Sequence, residues 1–186
     1  MTIKFAGQSF DCIRAARYGN QATIYLTDGS AVEFIGVSDF SAFSFENGDW
    51  EEKPLPEIQS SRQEENKAAL ATWLAAHPLT WTDGKRYGVE EQDQSELALN
   101  LMQYQVNKAA GKPAVLEWHA QKEECRAFEE AEYTALSMAI SAYVYPYRRY
   151  QEKVKAAIYN AQTVEAVEAV VIDYASVIVE EGDADA

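Results

Sequence analysis

An α+β fold follows from three observations on this sequence. Short alternating apolar runs, broken by Gly-containing turns, fill the first fifty residues. Apolar residues at helical spacing dominate the remainder, and Pro54 and Pro56 separate the two regimes. The expected architecture is an N-terminal small antiparallel β-sheet followed by a hairpin-plus-helices module with one long helix. Residues 1–52 form the antiparallel β module, 53–60 a Pro-containing linker, 61–178 the mixed α+β module and 179–186 an acidic tail.

In the β module, Ala22–Leu26 and Ala31–Ile35 flank Asp28-Gly29, a dipeptide that tolerates the positive φ of a tight hairpin. Lys4-Phe5 and Phe10–Ala15 form a second pair around Gly7, and Ala42–Phe45 supplies a further strand before Asn47-Gly48. Alternation places Thr23, Thr27 and Glu33 on the solvent face. Two prolines within Lys53–Pro56 exclude a helix there, so the next one opens at Ser61-Arg62-Gln63-Glu64, a capping box. That helix carries Leu70, Trp73 and Leu74 on one face and stops at His77, before Pro78.

Leu79–Trp81 and Lys85–Tyr87 then make a hairpin. Asp93-Gln94-Ser95-Glu96 caps a helix with Leu97, Leu101 and Tyr104 on its inner face, and Gly111 ends it. Ala114–His119 and Cys125–Phe128 are short strands, and the long helix runs from about residue 129 to 161. Thr163 caps a final helix containing Val164, Val167, Val170 and Val171.

Composition narrows the function. Apolar residues make up 47% of 186 residues, enough to fold most of the chain. Thirty acidic against 16 basic residues give a formal charge of −14, which repels nucleic-acid phosphates and anionic membranes alike. No segment approaches the ~20 apolar residues of a membrane span, and the N-terminus lacks the apolar run of a signal peptide. Cys12 and Cys125 lie far apart, so no disulfide framework is implied and a reduced, cytoplasmic setting is expected.

No reaction centre emerges. Cys12, His77, His119 and Cys125 lack the paired spacing of a zinc site, so no metal is expected. Glu123 and Glu124 oppose activation of Cys125 by His119. Glu90-Glu91 and Glu123-Glu124 are solvated surface acids, and Gly84 and Gly88 belong to a hairpin, not to a phosphate-binding loop. The expectation is a non-enzymatic protein without a cofactor.

The long helix carries the candidate site. Tyr133, Ile140, Tyr147 and Val154 fall seven apart, as do Leu136, Tyr143, Tyr150 and Ala157, which makes a continuous apolar seam. Two readings stand open: the seam packs on the chain's own helices, or it is a self-association or partner surface. Tyr143, Tyr147 and Tyr150 with Arg148 have the aromatic and arginine composition of interface centres. Pro146 removes one backbone donor and is expected to kink the helix.

The hairpin Trp81-Thr82-Asp83-Gly84-Lys85-Arg86-Tyr87, the acidic helix start, Trp118 and the long helix ending in Lys155-Ala156-Ala157-Ile158, then Thr163-Val164-Glu165, recur together. In these features the chain, over about residues 79–172, resembles an uncharacterised domain family found in tail and tail-fibre-region proteins of tailed bacteriophages and prophages. The family brings no catalytic residues to transfer. The resemblance implies a tail-associated structural or interaction protein that contacts other phage tail proteins or itself, in the bacterial cytoplasm during assembly or in the virion tail. Tyr145-Pro146-Tyr147 and the N-terminal sheet argue against the chain being itself a fibre. A tail-fibre assembly chaperone missing from mature particles is the first alternative. An acidic decoy that inhibits a host nucleic-acid-binding protein is the second.

Overall fold

The computed structural model describes residues 1–178. The acidic tail 179–186 therefore lies outside the described residues. The chain is α+β and divides into two compact units at residues 58/59.

The first unit is a sheet of β1 (Thr2–Phe5), β2 (Gln8–Tyr18), β3 (Gln21–Leu26), β4 (Ala31–Ile35), β5 (Ser44–Phe45) and β6 (Glu51–Glu52). The spatial order is β4-β3-β2-β1-β5, all antiparallel, while β6 runs parallel beside β2. Phe5 pairs with Gln8 across a two-residue loop, Ala6-Gly7, in which both residues have positive φ. That geometry matches the right-handed twist of the flanking strands. A register shift between Cys12 and Arg14 leaves Ile13 out of the pairing and 71% exposed.

One sheet face buries Ile3, Cys12, Ala15 and Ile24 against Phe43. Phe5 stacks on Phe43 at 4.1 Å, and Trp50 meets Phe40, Phe43 and Phe45 edge-on. Thr23, expected in solvent, is 3% exposed. Its face of the sheet is occupied too, because Arg14 there bonds Glu57 at 2.7 Å and Tyr25 donates to the same carboxylate at 2.9 Å. The Arg14 guanidinium holds Glu57 below the usual carboxylate range. Ala42 also departs from expectation: it closes a 3-10 turn, Phe40–Ala42, in which Asp39 Oδ1 accepts from the Ser41 amide at 2.8 Å.

Helix α1 (Leu55–Ala76) starts well before Ser61, inside the expected linker. The prolines do not forbid this, because a first-turn proline has no helical donor to lose. The Glu57 amide bonds Pro54 O at 2.9 Å instead. Ser61–Glu64 is thus mid-helix, not a cap.

The second unit follows with β7 (Leu79–Thr80), β8 (Arg86–Tyr87), α2 (Glu91–Ala109), β9 (Leu116–Trp118), β10 (Arg126–Phe128), α3 (Glu130–Asn160) and α4 (Val164–Glu168). Helix α2 begins three residues earlier than expected, with Glu90 and not Asp93 as its cap. Asp93 is its third residue and reaches back to accept from the Glu90 amide at 3.0 Å. Gly111, at φ +65°, ends α2, and the Thr163 hydroxyl caps α4 through the Ala166 amide. The core gathers Leu70 and Leu74 of α1, Leu97 of α2, Leu116 and Trp118 of β9, and the inner side of α3. Among the described residues, no helix is long and apolar enough to cross a membrane.

Candidate interaction surface

The motif hairpin between β7 and β8 is held by its own residues. Gly84 takes φ +78°, and Asp83 Oδ1 accepts from the Lys85 amide at 3.0 Å, which closes the turn. Tyr87 is wholly buried; its hydroxyl donates to Asp83 Oδ2 at 2.9 Å, and its ring meets Trp81 edge-on. Arg126 of β10 adds a contact to Asp83 at 3.5 Å and bonds Glu132 at 2.7 Å. Burial alone would push the Asp83 carboxyl up, but the Lys85 amide, the Tyr87 hydroxyl and Arg126 outweigh it and hold the carboxyl below its ordinary value. Trp81, Asp83, Lys85 and Tyr87 are therefore engaged inside the scaffold.

The aromatic seam of α3 faces inward. Tyr133, Leu136, Ile140, Val144, Tyr147, Val154 and Ile158 are all buried, with Tyr147 5% exposed. Tyr147 lies 6.0 Å from Trp73 and 5.8 Å from Tyr143, centroid to centroid. The Tyr143 hydroxyl donates to His77 O at 3.0 Å, and that of Tyr150 to Val171 O at 3.1 Å. Burial, with Tyr147 alongside, pushes Tyr143 up to about 12. The structure thus commits the three tyrosines to this chain's own packing. Of the four candidate residues only Arg148 points outward, 3.4 Å from Gln94 Oε1. Helix α3 continues through Pro146.

A different face is left open. Helix α2 turns Leu97, Leu101 and Tyr104 to the core, yet Leu99, Met102 and Val106 stand 57%, 56% and 63% exposed. Spacings of three and four residues put these three on one stripe, opposite the buried one. Ala98, Gln103 and Gln105 flank the stripe without charge. A helix apolar on both faces has one face more than this chain's own core uses. Reading Leu97, Leu101 and Tyr104 alone concealed it; the signal was a second apolar series half a turn away in the same helix.

Beside the stripe lies a groove of about 500 Å³, between the α2 side chains Glu96, Asn100, Gln103 and Asn107 and the segment Pro113–His119. His119 and Cys125 both border it. The His119 Nδ1 lies 3.3 Å from Ala120 O, and Cys125 is exposed. Cys12 belongs to the first unit, its thiol donating to Met1 O at 3.4 Å and pushed up by burial. His77 stacks on Trp73 at 3.6 Å. Among the described residues, no group of three or more His, Cys, Asp or Glu could hold a metal ion. Compared with protein-family models, curated proteins and solved structures, the chain finds no match.

Proposed function

We propose that this protein is a non-enzymatic, tail-associated interaction protein of a tailed bacteriophage or prophage, acting through protein–protein contacts. The observation that carries the contact part of this reading is α2, apolar on both faces, with Leu99, Met102 and Val106 in solvent. The tail setting comes from the resemblance carried by the Trp81–Tyr87 hairpin and the long helix. Tyr143, Tyr147 and Tyr150 make contacts within this chain, which favours the α2 stripe for the contact.

Covering Leu99, Met102 and Val106 contributes about 1–2 kcal/mol each, since each starts a little over half exposed. The stripe alone therefore supports a modest, reversible contact. A net charge of −14 keeps the free form soluble.

The test is mass spectrometry on purified particles and, in parallel, on affinity-purified tagged protein from the soluble fraction. Stoichiometric presence in particles identifies a tail component. Co-purification with a fibre protein only in the soluble fraction identifies an assembly chaperone. Absence of tail proteins from both fractions refutes the tail reading.

A further inference from the structure

The groove beside α2 combines two features that together select one kind of occupant. Strand β9 pairs only with β10 among the described residues, so one edge of a two-stranded ladder is left without a partner strand. Such an edge presents backbone donors and acceptors at strand spacing. Glu117 and Trp118 of this strand line the groove, and so does a row of side-chain amides, Asn100, Gln103 and Asn107, at positions i, i+3 and i+7 of α2. This spacing keeps all three on one side of the helix. Among the described residues, the amides of Gln103 and Asn107 make no side-chain hydrogen bond.

A carboxamide offers both a donor and an acceptor, as a peptide unit does. A row of them pairs with an extended main chain whatever its side chains are. We infer that this groove binds an extended peptide segment of a partner protein, laid along β9 as a third strand, with its outer main-chain groups received by Gln103 and Asn107.

Charge sets a further requirement. Glu96 and Glu117 are the acidic side chains lining the groove, and no Lys or Arg lines it. The occupant is thus uncharged over most of its length and carries a Lys or Arg where these carboxylates meet it. An acidic segment is excluded by like-charge repulsion. The groove's volume suits about four extended residues, so the recognised unit is short. This inference does not rest on the tail reading; it concerns the groove alone and holds or fails separately.

The probe is an immobilised library of capped pentapeptides screened with the full chain, followed by amide NMR of the labelled protein with the selected peptides. Selected peptides are expected to carry a basic residue and alternating β-formers, and to shift the resonances of residues 116–118 and the Gln103 and Asn107 side-chain amides. N-methylation of alternate peptide nitrogens is expected to weaken binding at least tenfold in one phase and little in the other. Gln103→Ala and Asn107→Ala, both on the helix surface, are each expected to weaken it about fivefold, the loss of one hydrogen bond. Failure to select any binder, indifference to N-methylation in both phases, or shifts confined to other surfaces would overturn the inference.

Discussion

Two substitutions at residues that are both apolar and both helical separate the packing face from the contact face. Tyr147 is 5% exposed between Trp73 and Tyr143, whereas Met102 is 56% exposed on α2. Truncating a buried aromatic to alanine costs about 3–5 kcal/mol, from lost transfer energy and the cavity left behind. With a urea dependence of roughly 2–3 kcal/mol per molar for a chain of this size, Tyr147→Ala should lower the midpoint by about 1.5 M. Tyr147→Asp should be worse, because it also places an unpaired carboxylate in the core. Met102→Asp meets none of these penalties and should stay within about 0.5 kcal/mol of the parent, apart from a small loss of helix propensity. Urea titrations followed by far-UV circular dichroism supply the stabilities, and pull-down with the partner identified by mass spectrometry supplies the binding. Tyr147→Ala should lose stability, and Met102→Asp should lose the partner with the fold intact. A Tyr147→Ala protein within about 1 kcal/mol of the parent, or a Met102→Asp protein that still retains its partner, would show that the two faces have been assigned the wrong way round.

Three further outcomes follow from buried polar contacts and one close approach. The buried Asn66 accepts from the Tyr174 hydroxyl at 2.7 Å and donates to Gln151 O at 3.1 Å. Tyr174→Phe should therefore cost about 1–2 kcal/mol, while Asn66→Leu with Tyr174→Phe should cost less than the two single changes summed, as a double-mutant cycle would read. Burial pushes Tyr143 and Tyr174 up to about 12, above the unfolded tyrosine value of roughly 10. Folding favours the neutral phenol, so this stabilisation is complete below about pH 10 and is lost as the pH rises towards about 12; urea midpoints measured across that window should fall, and fall less in Tyr143→Phe. A Cβ on Gly88 would overlap Asp93 Oδ2, so Gly88→Ala should displace the carboxylate that receives the Glu90 amide. The expected loss is about 1 kcal/mol by urea titration, and Asp93→Ala in the same background should add little.

The parts of the fold legible in the sequence were those set by local chemistry. Asp28-Gly29 and the stop at Gly111 demand positive φ, and the structure has it at Gly29 and Gly111. The heptad of α3 needs only a period: Tyr133, Leu136, Ile140, Tyr147 and Val154 are buried, Tyr143 and Tyr150 half-buried, and Ala157 alone is exposed. What failed depended on neighbours that a local pattern does not contain. Pro56 looked like a helix breaker because its position within a first turn is visible only once the helix start is known. Thr23 looked solvated because alternation assumes one wet face, whereas Arg14, Tyr25 and Glu57 occupy that side. The tyrosine seam of α3 posed the same difficulty. A seam of tyrosines has the same composition whether it meets a partner or its own core, and only the Trp73–Tyr147 contact and the Tyr143–His77 bond decide between them.

The closed circuit of Asp83, Lys85 and Tyr87 within the motif hairpin has a consequence for how such chains are recognised. Residues locked together in this way report the frame, not its cargo. Chains collected by that signature would share a mount while differing in what they hold. Any difference in what they hold would have to lie at the outward positions of α2 and along the rim of β9, which this circuit does not set.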